Sequence, residues 1–303
     1  MSTRSMISFD WAIKRLLRNK ANFGVLEGFL SELLRQKITI TSIAESESNK
    51  QDKKDKYNRV DILVENHDKE LVIVELQFYG QDDYFQRMLY GTSKSITEHM
   101  SENDDYDKVR KIYSVNIVYF DLGEGNDYVY HGVTRFTGLH THEELQLNED
   151  QRELYKKESI GELYPEYYIL KVKNFNDIAK DTLDEWIYYL KNNKIKDEFT
   201  AQGLAQARKV LAYDNLSDAE KRRYNREVEA TRNRNSETKT YFRKGKKEGR
   251  AEGRAEGKAE GLEEEKINTA KRLLKKGKSI EDISEATELP TEQIQQLIKS
   301  MNN

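Results

Sequence analysis

Residues 59 to 77, Arg-Val-Asp-Ile-Leu-Val-Glu-Asn-His-Asp-Lys-Glu-Leu-Val-Ile-Val-Glu-Leu-Gln, constrain this chain more than any other stretch. Two β-branched runs flank a polar patch with no apolar residue from 65 to 70, the pattern of a hairpin. Side chains alternate across a strand, so Val60, Ile62 and Val64 share one face while Arg59, Asp61, Leu63 and Glu65 share the other. On the second run Val72, Val74 and Leu76 oppose Ile73, Glu75 and Gln77. With His67, Asp68 and Lys69 as the loop, Asn66 pairs with Glu70, and counting back sets Asp61 opposite Glu75. Such cross-strand partners have Cβ atoms about 4.5 to 5.5 Å apart. Two carboxylates that close in an apolar sheet repel and lose hydration unless a cation sits between them. A hard divalent ion, Mg²⁺ first and Mn²⁺ or Ca²⁺ after it, suits oxygen ligands of this kind. The plain alternative is an Asp and a Glu on the solvated face of an antiparallel sheet.

The spacing Asp61-x13-Glu75-x-Gln77 resembles the active-site motif of the PD-(D/E)xK nuclease superfamily. The flanks narrow the match: Phe9-Asp10-Trp11-Ala12-Ile13-Lys14, the Val-Glu-Leu-Gln strand, Arg87 with Tyr90, and a glycine-punctuated tail. Together they resemble the recombination-promoting nuclease family, labelled transposases, over nearly the whole chain. The resemblance implies an α/β fold, a restriction-endonuclease-like core of mixed sheet flanked by helices, followed by a helical C-terminal extension. It further implies a metal-dependent DNA endonuclease in which Asp61 and Glu75 ligate Mg²⁺. Gln77 stands where the superfamily pattern has lysine; neutral glutamine orients by hydrogen bonds but brings no charge. Arg87 could replace some of that charge on a phosphate oxygen, or form a surface pair with Asp83 at i to i+4. An acid from the first helices often supports the metal in the superfamily, and Asp10 and Glu27 compete for that role. Asp10 is equally suited to cap a helix, and Glu27 to a solvated helix face. Other classes stay open: a catalytically inactive DNA-associated assembly protein, or a regulatory module that self-associates through its C-terminal helix.

Net charge, −3 overall, hides a strong division. Residues 201 to 250 carry 14 Lys and Arg against 7 Asp and Glu, while residues 1 to 200 carry 28 against 36. An acidic first part offers no general attraction for phosphates, so DNA affinity needs a local groove, the metal or the basic stretch. The absence of cysteine excludes disulfides and thiolate zinc sites. No apolar run approaches the roughly 20 residues that span a bilayer, so no membrane partner is expected. The start carries an acid within its first ten residues and no apolar segment, unlike a signal peptide. Cytoplasmic residence of bacterial type follows from the resemblance alone.

Apolar spacing predicts two helices over residues 9 to 35, an outer strand near 37 to 45, and a Ser-, Asn- and Lys-rich loop at 46 to 56. A helix is expected over 82 to 100 with Phe85, Met88, Leu89, Thr92 and Ile96 on one side. It supplies the crossover to a strand at 112 to 120, whose nearly continuous apolar run indicates cover on both faces. Further strands are expected at 128 to 136 and 166 to 173, and an amphipathic helix at 183 to 190. His140 and His142 read as a loop pair, since nothing nearby completes a metal site. Lys221, Arg222, Arg223 and Arg226 fit a solvated helix face or one turned to DNA.

These readings divide the chain into a nuclease-like domain (1–200), a basic helical connection (201–243), a glycine-repeat helix (244–266) and a small helix-turn-helix-like tail (267–303). From Gly245 to Gly261 glycine recurs every fourth residue, with rows of Glu and of Lys or Arg beside it. Each glycine costs a helix up to about 1 kcal/mol relative to alanine. Two parallel copies meeting at glycine would set the acidic row of one against the basic row of the other, so residues 245 to 261 are a homo-oligomer candidate; a flexible charged linker is the alternative. In the tail, Gly277 ends a helix, Ser279 and Thr291 start two more, and Gln293, Gln295, Gln296 and Lys299 line the last. With one cation there, a packing or assembly module is favoured over a DNA reader.

Overall fold

The hairpin sits at the centre of the sheet and decides its polarity. The computed structural model describes residues 6–15, 17, 19–44 and 61–301; the expected loop at 46 to 56, and Arg59 and Val60 of the first run, lie outside them. Strand β2 (Ile62–Asn66) pairs antiparallel with β3 (Leu71–Gln77). The turn closes through Asn66 and Glu70, whose backbone groups bond at 3.0 Å, with Lys69 in the left-handed region at φ 65°. The Asn66 side chain locks the corner: its Oδ1 accepts from Glu70 N at 2.8 Å and its Nδ2 donates to Glu70 Oε2 at 2.9 Å.

Strand β1 (Ile40–Ala44) joins β2 at one edge, antiparallel. On the other side α3 (Tyr84–Glu98) returns the chain so that β4 (Ile112–Val118) runs parallel to β3. Strand β6 (Glu166–Lys171) continues parallel beside β4, and β5 (Val129–Gly132) closes the far edge antiparallel. The order is β1-β2-β3-β4-β6-β5. This mixed six-stranded sheet flanked by helices is the expected restriction-endonuclease-like core.

The two faces are covered by different helices, because alternation sends alternate residues to opposite sides. Ile62, Val64, Val72, Val74 and Leu76 join the main core with α1 (Phe9–Arg15), α2 (Phe23–Leu34) and α5 (Thr182–Asn192). Leu63, Leu71, Ile73 and Ile112 face the other way and meet Ile96 of α3. Helix α3 settles on that face through Tyr84, Met88, Gly91, Thr92 and Ser95. Small residues at 91, 92 and 95 let it approach closely, and the contact stripe is turned from the expected one. Phe85 and Leu89 are therefore 51% and 59% exposed instead of buried with Met88.

The domain expected to stop at residue 200 continues. Ala201, Leu204, Ala207, Leu211 and Leu216, on and around α6 (Leu204–Val210), belong to the main core, and this compact unit ends at Tyr224. Expected boundaries at 243 and 266 are crossed by one helix, α7 (Asp218–Lys275). Glycine weakens a helix without ending it, and no proline occurs before Pro290 in this region. A Cβ at Gly245, Gly249, Gly253, Gly257 or Gly261 would meet nothing within 4 Å.

The second unit, from Asn225, ends in a small core of its own. Ala270 from α7 packs with Ile283 of α8 (Ile280–Thr287), Leu289, and Ile294 of α9 (Thr291–Met301). Gly277 at φ 73° ends α7; Gly277 N bonds Leu274 O and Lys278 N bonds Leu273 O, a paired C-terminal cap. Ser279 caps α8 by accepting from Asp282 N at 3.1 Å.

Candidate active site

Pairing of Ile62 with Val74 places the preceding residue, Asp61, opposite Glu75, as counting back from the turn predicts. Asp61 Oδ2 accepts the backbone N–H of Leu76 at 2.7 Å, which ties this side chain to β3 just beyond the last pair of the ladder. Glu75 is buried and aimed at the α3 side of the sheet. Burial raises its carboxyl pKa to about 7; Arg87 opposes the shift and the charge of Asp61 adds to it. The Arg87 Nε stands 3.9 Å from Glu75 Oε2, a loose ion pair.

Helix α3 and β4 supply the walls. The Arg87 guanidinium donates to Gln81 Oε1 at 3.0 Å, while its buried Nε has no hydrogen-bond partner among the described residues. It does not turn to Asp83, which Arg87 meets only through the backbone, N to O at 3.0 Å. Asn116 lies opposite Glu75 on β4 and accepts from the Tyr84 hydroxyl at 3.2 Å. Its amide donates to Ser114 O and Oγ at 3.1 and 3.0 Å. Burial, with Glu75 next, pushes the Tyr84 hydroxyl pKa far up and keeps it a neutral donor. Gln77, two residues beyond Glu75 on the same face, donates from Nε2 to Tyr79 O at 3.2 Å.

Ser114, Asn116 and Tyr84 were not singled out by sequence reasoning. The signal was present: two polar residues at period two within an otherwise apolar strand mark one face as polar. Reading 112 to 120 as nearly continuous apolar sequence passed over it.

Asp10 and Glu27 stand on the first two helices. Both lie on helices that pack against the main-core face of the sheet, opposite the face that Glu75 shares with Arg87. Glu27 Oε1 accepts from Ile40 N at 2.8 Å and so anchors β1. The charge of Asp10 is felt by Tyr119, whose hydroxyl bonds Leu190 O on that same side. The charges that act on Glu75 are those of Arg87 and Asp61. His140 and His142 are exposed in a turn. Among the described residues no three His, Cys, Asp or Glu side chains converge as a metal site.

A divalent cation nevertheless fits the donor chemistry of the Asp61–Glu75 pair. Two carboxylates face across adjacent strands, and one is too buried to keep its charge near neutral pH with Arg87 alone.

In the second unit Gln293, a candidate base reader, donates to Glu263 at 3.1 Å, and the last helix carries only Lys299 as a cation. In the basic cluster at 221–226, Lys221 donates to Asp214 O at 3.1 Å. No helix among the described residues is long and apolar enough to cross a membrane. Residues 7–240 match the family described as PD-(D/E)XK nuclease family transposase. No curated protein and no solved structure matches the chain.

Proposed function

The chain belongs to the PD-(D/E)XK nuclease family transposases, and from that premise we propose that it is a metal-dependent DNA endonuclease with Asp61 and Glu75 as its metal ligands. The observation that carries this reading is the buried Glu75, set opposite Asp61 with its pKa raised to about 7. Asp61 and Glu75 would hold a divalent cation, which would supply positive charge to phosphate oxygens and activate water. The residues of the chain do the rest. Glu75 releases its proton when a cation takes its place, so binding strengthens as pH rises. Asp61 is oriented by Leu76 N, which leaves its carboxylate little freedom to reorganise. Arg87, 3.9 Å from Glu75, steadies the ionised carboxylate and contacts a phosphate oxygen in this reading. Gln77, two residues on from Glu75 along the same face, would orient water or phosphate through its amide without adding charge.

Mg²⁺-dependent nicking of plasmid DNA tests the reading. Wild type nicks, and Asp61→Ala and Glu75→Ala do not. No nicking by wild type with Mg²⁺, Mn²⁺ or Ca²⁺ would overturn it in favour of a non-catalytic DNA-associated protein.

Self-association through residues 245 to 261 is a second reading for the other unit, favoured by one observation. Five glycines weaken α7 by up to about 1 kcal/mol each, yet no contact within the described chain needs them. An approaching second helix would. Light scattering on a chain ending before Gly245 decides it, and an unchanged mass removes the idea.

A further inference from the structure

The most one-sided charge distribution among the described residues runs along α7. Residues 231 to 250 carry eight Lys and Arg against two acids. At 100° per residue, Arg232, Lys239, Arg243, Lys247, Arg250 and Arg254 fall within about 40° of one line down the helix. The acids in this span, Glu237, Glu248 and Glu252, lie at least about 120° away from that line. All six cations are exposed. Arg243, Lys246, Lys247, Arg250 and Arg254 line an open groove of about 400 Å³. The row spans roughly 33 Å at 1.5 Å per residue. Glu248, Glu252, Glu256 and Glu260 of a paired copy would reach only the end of the row at Lys247, Arg250 and Arg254, and leave Arg232, Lys239 and Arg243, which precede the first of these acids by more than a turn, without a counter-charge.

We propose that this face of α7 is a docking surface for the phosphate backbone of duplex DNA, bound without regard to sequence. A duplex carries one negative charge per roughly 1.7 Å and turns once in about 34 to 36 Å, which matches a straight basic row of this length. A membrane surface is a poor fit, because a helix that lies in a bilayer interface needs an apolar face opposite its basic one. Here the opposite side carries Arg234, Glu248 and Glu252. Single strands are gripped by aromatic side chains interleaved with cations. Tyr241 and Phe242 are exposed, but each lies at least about 100° from the basic line. The surface rests on the reading that the protein acts on DNA, though not on hydrolysis. It would give an otherwise acidic first unit a tethered hold on its substrate and raise the local DNA concentration there.

The test uses the full chain in EDTA, so that no cleavage enters. Fluorescence anisotropy follows a duplex several turns long, of arbitrary sequence, from low to physiological salt. Replacing Arg243, Lys247, Arg250 and Arg254 together by Gln, a good helix former, should weaken duplex binding on the order of 10²-fold at physiological salt. It should also reduce the slope of log K against log salt by about 0.9 per cation removed. A charge-preserving variant, Arg243→Lys with Arg250→Lys and Arg254→Lys, should bind as wild type does. Neutralising Glu248, Glu252 and Glu256 with Gln should leave duplex affinity equal or higher. Unchanged affinity and slope in the four-cation variant overturn the proposal, as does equal affinity for a single strand. So does a fall in light-scattering mass with duplex binding intact, which would give the row to helix pairing. If the four-cation variant loses helicity by circular dichroism, single substitutions are read instead, each expected to lower the slope by about 0.9. Wild type that binds the duplex with this salt slope but nicks no plasmid with Mg²⁺, Mn²⁺ or Ca²⁺ refutes the active-site reading alone.

Discussion

The sheet carries buried or half-buried acids at both ends, and the two ends treat them differently. At the hairpin end, Glu65 meets Arg110 at 2.7 Å, Glu70 meets Lys157 at 3.1 Å, and Glu166 meets Lys111 at 2.8 Å. Burial pushes the Glu65 and Glu166 pKa values up, but hydrogen bonds from Arg110 and Lys69, and from Lys111 and His131, more than offset it and hold both below the usual glutamate range. At the other end Glu75 has, among the described residues, only the loose approach of Arg87 at 3.9 Å, with Asp61 opposite, and its pKa rises instead. The same residue type thus serves as a structural anion where the chain supplies the cation and as a candidate ligand where positive charge is short.

The largest expected difference is in activity. Glu75→Ala should lower plasmid nicking by about 10²- to 10³-fold or more, while Glu70→Ala should leave the rate per folded molecule within a few-fold; equal losses would erase the contrast. Stability should divide the other way. Glu166→Ala leaves Lys111 buried without its carboxylate and should cost about 3 kcal/mol in urea melts.

The pH dependence of the two ends should have opposite signs. Folded Glu75 keeps its proton to about pH 7, whereas the unfolded chain loses it near the ordinary value of 4.5. Between those values the folded state binds more protons, so Glu75 destabilises it progressively as pH rises, by up to about 3 kcal/mol. Glu75→Gln should therefore gain on wild type across that window in EDTA melts and level off above it. Added Mg²⁺ should stabilise wild type more than the variant near pH 8. Glu166, with a lowered pKa, contributes stability above the ordinary glutamate value that is lost as pH falls through the folded one. A flat difference between wild type and Glu75→Gln would mean that Glu75 is not starved of charge. The smallest effect belongs to Gln77→Lys. A cation there should lower the Glu75 pKa, move the nicking profile to lower pH, and change the maximal rate only a few-fold.

Much of the sheet was legible because its signals are local. Alternation in residues 60 to 77 and a three-residue turn leave one register for β2 against β3, and a slip by one would expose every apolar residue. The strand at 112 to 118 and its parallel pairing followed from an apolar run behind a crossover helix. The contact stripe of α3 was not legible: Phe85 and Met88 are equally apolar in sequence, and only the close seating of Gly91, Thr92 and Ser95 on the sheet decides which one is buried. Asp10 and Glu27 carry the right chemistry, and nothing in their spacing reveals that their helices cover the opposite face.

What the sequence by itself determined is that Asp61 and Glu75 lie on adjacent hairpin strands and, with His67, Asp68 and Lys69 as the loop, oppose each other, because side chains alternate with a period of two. Tertiary structure decided the charge on Glu75. Its proton affinity depends on how much water α3 removes and how far the Arg87 guanidinium remains from the carboxylate, and both are distances set by packing between segments that are not neighbours in the chain.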